Sequence, residues 1–207
     1  MHTALRPFAL AATLWAVASS ASAVTTIYTT SASFLAQVAP GSYTNTFTGA
    51  VDAALSYSYS GGSFAYTVTA PPAGFGDDVY LSGTFIGNLY ANASLTVTFT
   101  SGNVRAIGGN FYITNSSDAF VAAPITINLS DGTTTTFSPG TAADYRGFVS
   151  TVSITSLVML APGASRYNTI DNLTVGTPVP EPGSYALMAL GLAAVLAARR
   201  KRSATAA

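Results

Sequence analysis

The sequence predicts an all-β domain: an antiparallel two-sheet β-sandwich, jelly-roll-like, with one short N-terminal helix. Three observations predict it. Apolar and small polar residues alternate over short runs, the turn dipeptides Gly61-Gly62 and Asp131-Gly132 separate neighbouring runs, and Thr, Ser, Gly and Tyr are abundant. Roughly nine to eleven short strands follow from this spacing of turn residues.

The elements are predicted in chain order. Residues 31–38 have a helical pattern, with Phe34, Leu35 and Val38 on one face after Ser caps. Extended runs follow at Leu55–Tyr59, Phe64–Val68, Leu95–Phe99, Val104–Thr114, Ile125–Leu129, Thr133–Phe137, Val149–Leu160 and Tyr167–Val175. The first two runs and the fifth and sixth form hairpins across their turn dipeptides. Gly108-Gly109, inside the fourth run, predicts a β-bulge.

The composition of residues 24–178 excludes several function classes. This stretch has seven Asp, no Glu, three Arg and no Lys, so its formal charge is −4 although the whole chain is neutral. Such a weakly acidic segment lacks the basic surface that nucleic acid requires. The chain has no Cys, and its single His is His2. A Ser-His-Asp triad, a Cys nucleophile, a Schiff-base Lys and a His- or Cys-ligated zinc site are therefore excluded from this domain.

Residues 1–23 have the pattern of a signal peptide, which forms a helix during export. Arg6 gives a weakly positive start, and an apolar core runs from Phe8 to Val17. Ala21 and Ala23 then supply the small residues that flank a cleavage site. The alternative, an uncleaved anchor, fits less well because the apolar run is short. The domain proper is accordingly assigned to residues 24–176.

Residues 177–202 combine a proline-rich stretch, a short apolar stretch and a basic end. Three prolines favour an extended, exposed segment at its start. The uncharged run from Tyr185 to Ala198 predicts a transmembrane helix over about 184–198, although 14 residues span only about 21 Å. The basic residues after it are those that the positive-inside rule keeps in the cytoplasm: Arg199, Arg200, Lys201 and Arg202. A permanent membrane anchor is the simpler interpretation of this tail.

The same tail resembles the PEP-CTERM sorting domain of Gram-negative bacteria. The resemblance covers about residues 178–202, and its motif is Val179, Pro180, Glu181 and Pro182. It implies recognition by an exosortase, a membrane-bound cysteine enzyme that cleaves near Pro-Glu-Pro. It also implies an inner-membrane precursor and an envelope or extracellular fate, often linked to exopolysaccharide and biofilm. Some domain collections label the same tail an ice-binding protein C-terminal domain, which is no evidence of ice binding.

Within the domain, three strings resemble the domain that commonly precedes this tail: residues 104–109, 125–132 and 167–175. The last also resembles the closing strand of carbohydrate-binding β-sandwiches. Asp77, Asp78 and Asp171 are the candidate ligands for a structural calcium ion, and no other cofactor is expected. A solvated loop for the first two and turn capping for Asp171 are the simpler interpretations. Asp144 and Arg146 are close enough in sequence to form a surface ion pair.

These observations predict an exported, non-enzymatic envelope or matrix protein whose partners are an exosortase, the inner membrane and exopolysaccharide. The first alternative is a carbohydrate- or calcium-dependent binding module. An exposed tyrosine cluster on one sheet would favour that module, and a sheet showing only Ser and Thr would count against it. The second alternative is a glycoside hydrolase, which needs two carboxyl groups facing each other across a cleft.

Overall fold

A computed structural model describes residues 23–71, 78–160, 163–180, 188–193 and 195. These residues are mostly β, with two antiparallel sheets and a short helix near the start of the domain, α1 (Ser31–Leu35). The strands are β1 Thr25–Tyr28, β2 Tyr43–Asn45, β3 Asp52–Ala54, β4 Ser56–Gly61, β5 Phe64–Thr69, β6 Val79–Leu81, β7 Ile86–Asn88, β8 Leu95–Phe99, β9 Ala106–Thr114, β10 Phe120–Val121, β11 Ile125–Leu129, β12 Thr134–Phe137, β13 Tyr145–Ser150, β14 Ser156–Leu160 and β15 Tyr167–Gly176. The predicted antiparallel all-β class is confirmed.

The two sheets divide the strands unequally. The nine-stranded sheet has the order β1-β13-β9-β15-β7-β6-β3, with β10 added to β9 and β2 added to β15. The six-stranded sheet has the order β12-β11-β14-β8-β5-β4. The long strands β9 and β15 lie side by side at the centre of the larger sheet, so residues far apart in sequence meet there.

One hydrophobic core joins the two sheets. It draws alternate residues from both of them, including Tyr66, Val97, Ile127 and Met159 from the smaller sheet and Ile107, Phe111, Phe148 and Ile170 from the larger one. Burying a side chain of this size contributes about 1.5–3 kcal/mol. Two sheets over one core is the layered arrangement that the sequence predicts; the jelly-roll-like connectivity stays a prediction.

Both predicted hairpins are confirmed. Strands β4 and β5 pair in register up to Gly61 and Phe64, and β11 and β12 pair around the Asp131-Gly132 turn. Gly132 has a φ of +92°, a backbone conformation that glycine adopts without steric cost. These pairings depend only on neighbouring segments, which is why the local pattern was sufficient to predict them.

The remaining strand predictions need correction. The run Val149–Leu160 is divided, because β13 ends at Ser150 and β14 begins in the other sheet at Ser156. The described residues also form 15 strands rather than nine to eleven. The additional ones are mostly only two or three residues long. Segments that short contain too few alternating residues to give a periodic signal.

Helix α1 is shorter than predicted, and its buried residue Phe34 packs over Gly108 and Gly147 of the larger sheet. Its N-cap is Thr30, whose hydroxyl accepts from the Ser33 backbone N–H at 3.2 Å, rather than a Ser. Phe34 is fully buried, whereas Leu35 is 46% exposed, so the prediction that both share a buried face is wrong. Adjacent helical residues point about 100° apart, and only Phe34 faces the sheet.

The predicted bulge lies on the neighbouring strand. Gly108 and Gly109 pair with β13 without interruption, and the register shift falls on β15 between Asp171 and Thr174. Gly108 is instead required for space, since a Cβ atom there would lie 2.7 Å from the Phe34 ring. Gly108 thus accommodates α1, and the extra residue of the bulge belongs to the partner strand β15.

Several residues named in the sequence analysis lie outside the described residues. They are residues 1–22 of the signal peptide, which include Ala21, together with Asp77, Glu181, Pro182 and the basic cluster Arg199–Arg202. Residues 188–193 are helical, and their large apolar side chains are exposed. In the part of the chain that the structure describes, no helix is long and apolar enough to cross a membrane. The predicted transmembrane helix is therefore not shown.

Asp131 connects the two sheets. From the β11–β12 turn of the smaller sheet, its carboxylate accepts from Thr25 Oγ1 at 2.5 Å and from Ser150 Oγ at 2.7 Å, both in the larger sheet. It also accepts from the Thr133 backbone N–H at 2.9 Å. Burial raises the pKa of this carboxyl, but these hydrogen bonds outweigh burial and hold the pKa below its ordinary value of 3.8.

We expect Asp131→Ala to destabilise the domain in a pH-dependent way. Because the folded-state pKa is depressed, the stabilisation by the carboxylate is present above the unfolded pKa and is lost as pH falls through the folded pKa. Urea midpoints of wild type and variant should differ most at neutral pH and converge in acid, below the depressed folded-state pKa. Asp52→Ala, which removes an exposed carboxylate, is the control and should change the urea midpoint little. An equal loss for Asp131→Ala at all pH values would contradict the prediction.

Candidate functional site

A groove of about 790 Å³ lies on the outer face of the nine-stranded sheet. Three elements border it: the start of α1, the loop before β13 and the bulge of β15. The strand alternation that turns Ile170 and Leu173 into the core turns Asp171 towards this outer face. The groove therefore exists because a bulge, a helix and a loop surround a flat part of the sheet.

The floor of the groove is a ladder of amide and carboxylate groups. Asn172 Nδ2 donates to Asn110 Oδ1 and to Asp171 Oδ2, both at 2.9 Å, and the Asn172 backbone N–H donates to Asp171 Oδ1 at 2.6 Å. Asn110 Nδ2 donates in turn to the Ala143 carbonyl at 2.8 Å. Asn172 has a φ of +51°, a conformation that Asn tolerates better than most residues. These bonds fix the orientation of the polar groups before any ligand arrives.

Asp171 is a half-buried carboxyl within that ladder. Burial raises its pKa above the ordinary value, and the hydrogen bond from the Asn172 backbone N–H offsets part of this effect. The interpretation of Asp171 as a local capping residue is consistent with these contacts.

Asp144, at the rim of the groove, organises its own loop. It accepts from the Gly140 backbone N–H at 2.7 Å and from Thr141 Oγ1 at 3.0 Å. These bonds, more than the charge of Arg146, lower its pKa. The Arg146 guanidinium lies 4.4 Å from the centre of the Phe137 ring and donates to the Tyr145 carbonyl. The Asp144–Arg146 ion pair considered from the sequence is therefore at most a weak, long-range attraction.

Tyr145 lies at the floor of the groove against Phe34 and is only 7% exposed. Burial raises the pKa of its phenol to about 12. Among the described residues its hydroxyl has no hydrogen-bond partner. The Thr174 side chain offsets part of this rise in pKa, and its hydroxyl is paired with that of Thr44 at 2.8 Å.

A second hollow of about 440 Å³ is lined by residues of β6, β7, β9 and β15. Tyr80 and Tyr167 contribute to its wall, and Tyr80 Oη donates to Asp118 Oδ2 at 3.0 Å. Other tyrosines available for stacking on sugars are not exposed as a cluster. Tyr66 is a core residue, with Tyr57 and Tyr59 packed against the same core.

The six-stranded sheet presents a different outer face. Its outward residues on β5 and β8 include Thr67 and Thr69, which lie in register with Thr98 and Thr96 respectively. On β4 the outward residues are serines, and on β11 and β12 they are Thr or Asn. The tyrosine cluster that would favour a carbohydrate-binding module is therefore not on this sheet, and the polar groove of the other sheet is the stronger candidate site.

Calcium binding remains an untested expectation. Asp78 is 3% exposed and precedes β6, while Asp171 belongs to the ladder in the groove. The described residues include no group of three or more His, Cys, Asp or Glu side chains that would hold a metal ion.

The start of the tail is bound to the domain. The Ala39 backbone N–H donates to the Thr177 carbonyl and the Val179 backbone N–H donates to the Gln37 carbonyl, both at 2.8 Å. Val38 and Pro178 lie opposite each other as an antiparallel bridge between these bonds. Chain 177–179 thus leaves the domain in an extended conformation immediately before the Pro-Glu-Pro sequence.

A short proline-rich exit from a folded β domain, followed by an apolar and then a basic stretch, defines the class of exported proteins with a C-terminal sorting tail. This chain carries the PEP-CTERM protein-sorting motif, matched by the family model over residues 178–202. The motif implies exosortase-dependent sorting of an exported protein that is a membrane-anchored precursor before cleavage. Neither curated proteins nor solved structures gave a significant match.

The structure brings together residues that sequence reasoning considered separately or missed. Asp171 was a candidate calcium ligand and Asp144 a candidate ion-pair partner, yet both line one groove. Asn110 was not singled out, because an Asn inside a long apolar run gave no signal by itself. Its outward position in β9, beside β15, is what makes it part of the site.

Proposed function

We propose that this protein is a non-enzymatic component of the envelope or extracellular matrix of a Gram-negative bacterium, and that its groove binds exopolysaccharide. The observation that carries the proposal is the ladder of Asn110, Asn172 and Asp171 along the groove floor. Amides both donate and accept hydrogen bonds, and carboxylates accept them, which suits the neighbouring hydroxyls of a sugar. A pre-formed concave site with a few fixed polar groups is the usual form of a small-ligand site.

The lack of His, Cys and Lys between leader and tail supports a binding role over an enzymatic one. A non-catalytic matrix component has to be sorted to the envelope and has to bind polymer. The sorting motif supports the sorting step, and the groove is our candidate for the polymer-binding surface.

The sorting half of the proposal is tested by following the mature C-terminus. Mass spectrometry of cell and medium fractions should find the wild-type chain without Arg199–Arg202 when an exosortase is present. We expect Glu181→Ala to retain that basic end, because the change removes the only carboxylate of the motif. Asp52→Ala, which removes an exposed carboxylate of the folded domain, should be processed normally. Wild-type chain with an intact basic end in every fraction would rule out processing.

The binding half is tested by affinity electrophoresis of the folded domain in gels that contain individual bacterial polysaccharides. Retardation by at least one polymer is expected, with and without calcium. Asn110→Ala should weaken it, because Asn172 then loses one of its two acceptors and the ladder loses its link to the Ala143 carbonyl. Migration identical to that in polymer-free gels, for every polymer and in both conditions, would reject polysaccharide binding.

A second candidate function is a glycoside hydrolase. The specific observation in its favour is that Asp144 and Asp171 line one groove, with their pKa values moved in opposite directions. Separated acid and base roles have this pattern in glycosidases. Release of new reducing ends from a bound polymer would favour the hydrolase, and an unchanged chain length would favour the binding protein.

A further inference from the structure

The charge of the groove restricts the polymer it can accept. Its described lining contains two carboxyl groups, on Asp144 and Asp171, and neither Arg nor Lys. The remaining polar contacts come from amides and hydroxyls, which carry no net charge. A polymer lying in this groove therefore meets negative charge alone.

The positive charges of the domain lie elsewhere. Arg146 belongs to β13 but points away from the groove, towards the Phe137 ring. Arg105 is exposed just before β9, and Arg166 precedes β15 beside Gly163. None of the three lines the groove. Asp171 accepts hydrogen bonds from Asn172, but no cation of the described groove lining balances its charge.

A second observation points to a ligand at the same place. Tyr145 is more than nine-tenths buried and lines the groove, and its hydroxyl has no partner among the described residues. Buried polar groups are nearly always hydrogen-bonded, so an unmet one beside a groove indicates a missing partner. An ammonium or hydroxyl group of a sugar would supply it after a small side-chain movement.

We propose that the groove binds an amino-sugar polysaccharide with free, protonated amino groups, placed against Asp171 and Asp144. This inference rests on the proposed polysaccharide binding and names the class of polymer. An ammonium donates charge-assisted hydrogen bonds to carboxylates, which are stronger than neutral ones. A uronate or sulfated polymer would bring a second anion to a half-buried carboxylate without compensation, so it is excluded.

The test compares three short, soluble oligosaccharides of equal length at about pH 6, where glucosamine is largely protonated: a chitosan oligomer, its N-acetylated neutral form and an alginate oligomer. Chitosan should bind at least about tenfold more tightly than the neutral form, as expected for charge-assisted bonds. Alginate should not bind. Titration calorimetry on the folded domain measures all three.

Matched variants separate groove binding from general attraction of a polycation. Asp171→Asn keeps the side-chain shape and an oxygen acceptor for Asn172, and should lose about tenfold or more in chitosan affinity. Asp52→Asn makes the same charge change at an exposed site on β3 and should change affinity less than about twofold. Circular dichroism on both variants checks that the fold is retained.

The possible outcomes are distinguishable. Equal affinity for chitosan and its neutral form, or tight binding of alginate, overturns the amino-sugar inference and leaves polysaccharide binding standing. Equal losses for Asp171→Asn and Asp52→Asn show non-specific adsorption and also overturn it. If none of the three binds and no other polysaccharide retards the domain, the proposed function itself fails.

Discussion

Replacing Phe34 by alanine is expected to lower the free energy of unfolding by about 3–5 kcal/mol. Phe34 is fully buried, and its ring packs against Tyr28 and Tyr145 with centroid distances of 6.5 and 5.8 Å. It is the buried side chain by which the five-residue helix α1 is held on the sheet. A helix this short has no stability of its own, so loss of the anchor should release it.

The control for this prediction is the next residue. Leu35→Ala removes an apolar side chain that is 46% exposed, and should cost no more than about 0.5 kcal/mol. Urea unfolding monitored by circular dichroism measures the free energy of unfolding of both variants. Similar losses for Phe34→Ala and Leu35→Ala would contradict the packing described here. Because residues 30 and 31 border the groove, Phe34→Ala should also weaken polymer binding.

Gly147→Ala is expected to destabilise the domain by about 1–3 kcal/mol through overpacking. A Cβ atom at this position would lie 2.4 Å from Phe34 Cδ2 and 2.7 Å from Phe34 Cβ. Gly108, the β9 partner of Gly147, lies under the same ring, because a Cβ atom there would be 2.7 Å from Phe34 Cε1. The helix would have to lift from the sheet to admit one methyl group.

A double-mutant cycle isolates this contact. In the Phe34→Ala background the clash is removed, so Gly147→Ala should cost much less than it does in the wild type. Gly49→Ala is the matched control, because its nearest neighbour would be Leu81 Cδ2 at an ordinary 3.8 Å. It should be neutral or slightly stabilising, through reduced freedom of the unfolded chain. Additive losses in the cycle would show that Phe34 and Gly147 do not share a constraint.

Elements whose residues are close together in the chain could be predicted from the sequence, whereas elements specified by tertiary contacts could not. The hairpin β4–β5 was predictable because its two strands are adjacent and their alternation specifies which face is buried. The three-residue strands β6 and β7 were not predictable, since they are specified by their neighbours in the larger sheet. Gly108 gave a signal, but its meaning depended on Phe34, which reaches it only through the folded chain.

The groove could not be predicted from the sequence, because its residues come from distant segments of the chain. Asn110, Asp144 and Asp171 belong to three separate segments, and their meeting depends on β9 lying between β13 and β15. Asp131 likewise looked like an ordinary turn residue, yet its carboxylate joins the two sheets. Neither role has a local sequence pattern.

The sequence by itself determined the sorting tail, the all-β class and the two hairpins, because each is encoded by residues close together in the chain. An extended proline-rich motif requires no tertiary contact to be recognised. The tertiary structure alone decided the place of α1, the bulge on β15 and the polar groove. Those features depend on strand order, which brings distant residues together and cannot be read from the spacing of any single segment.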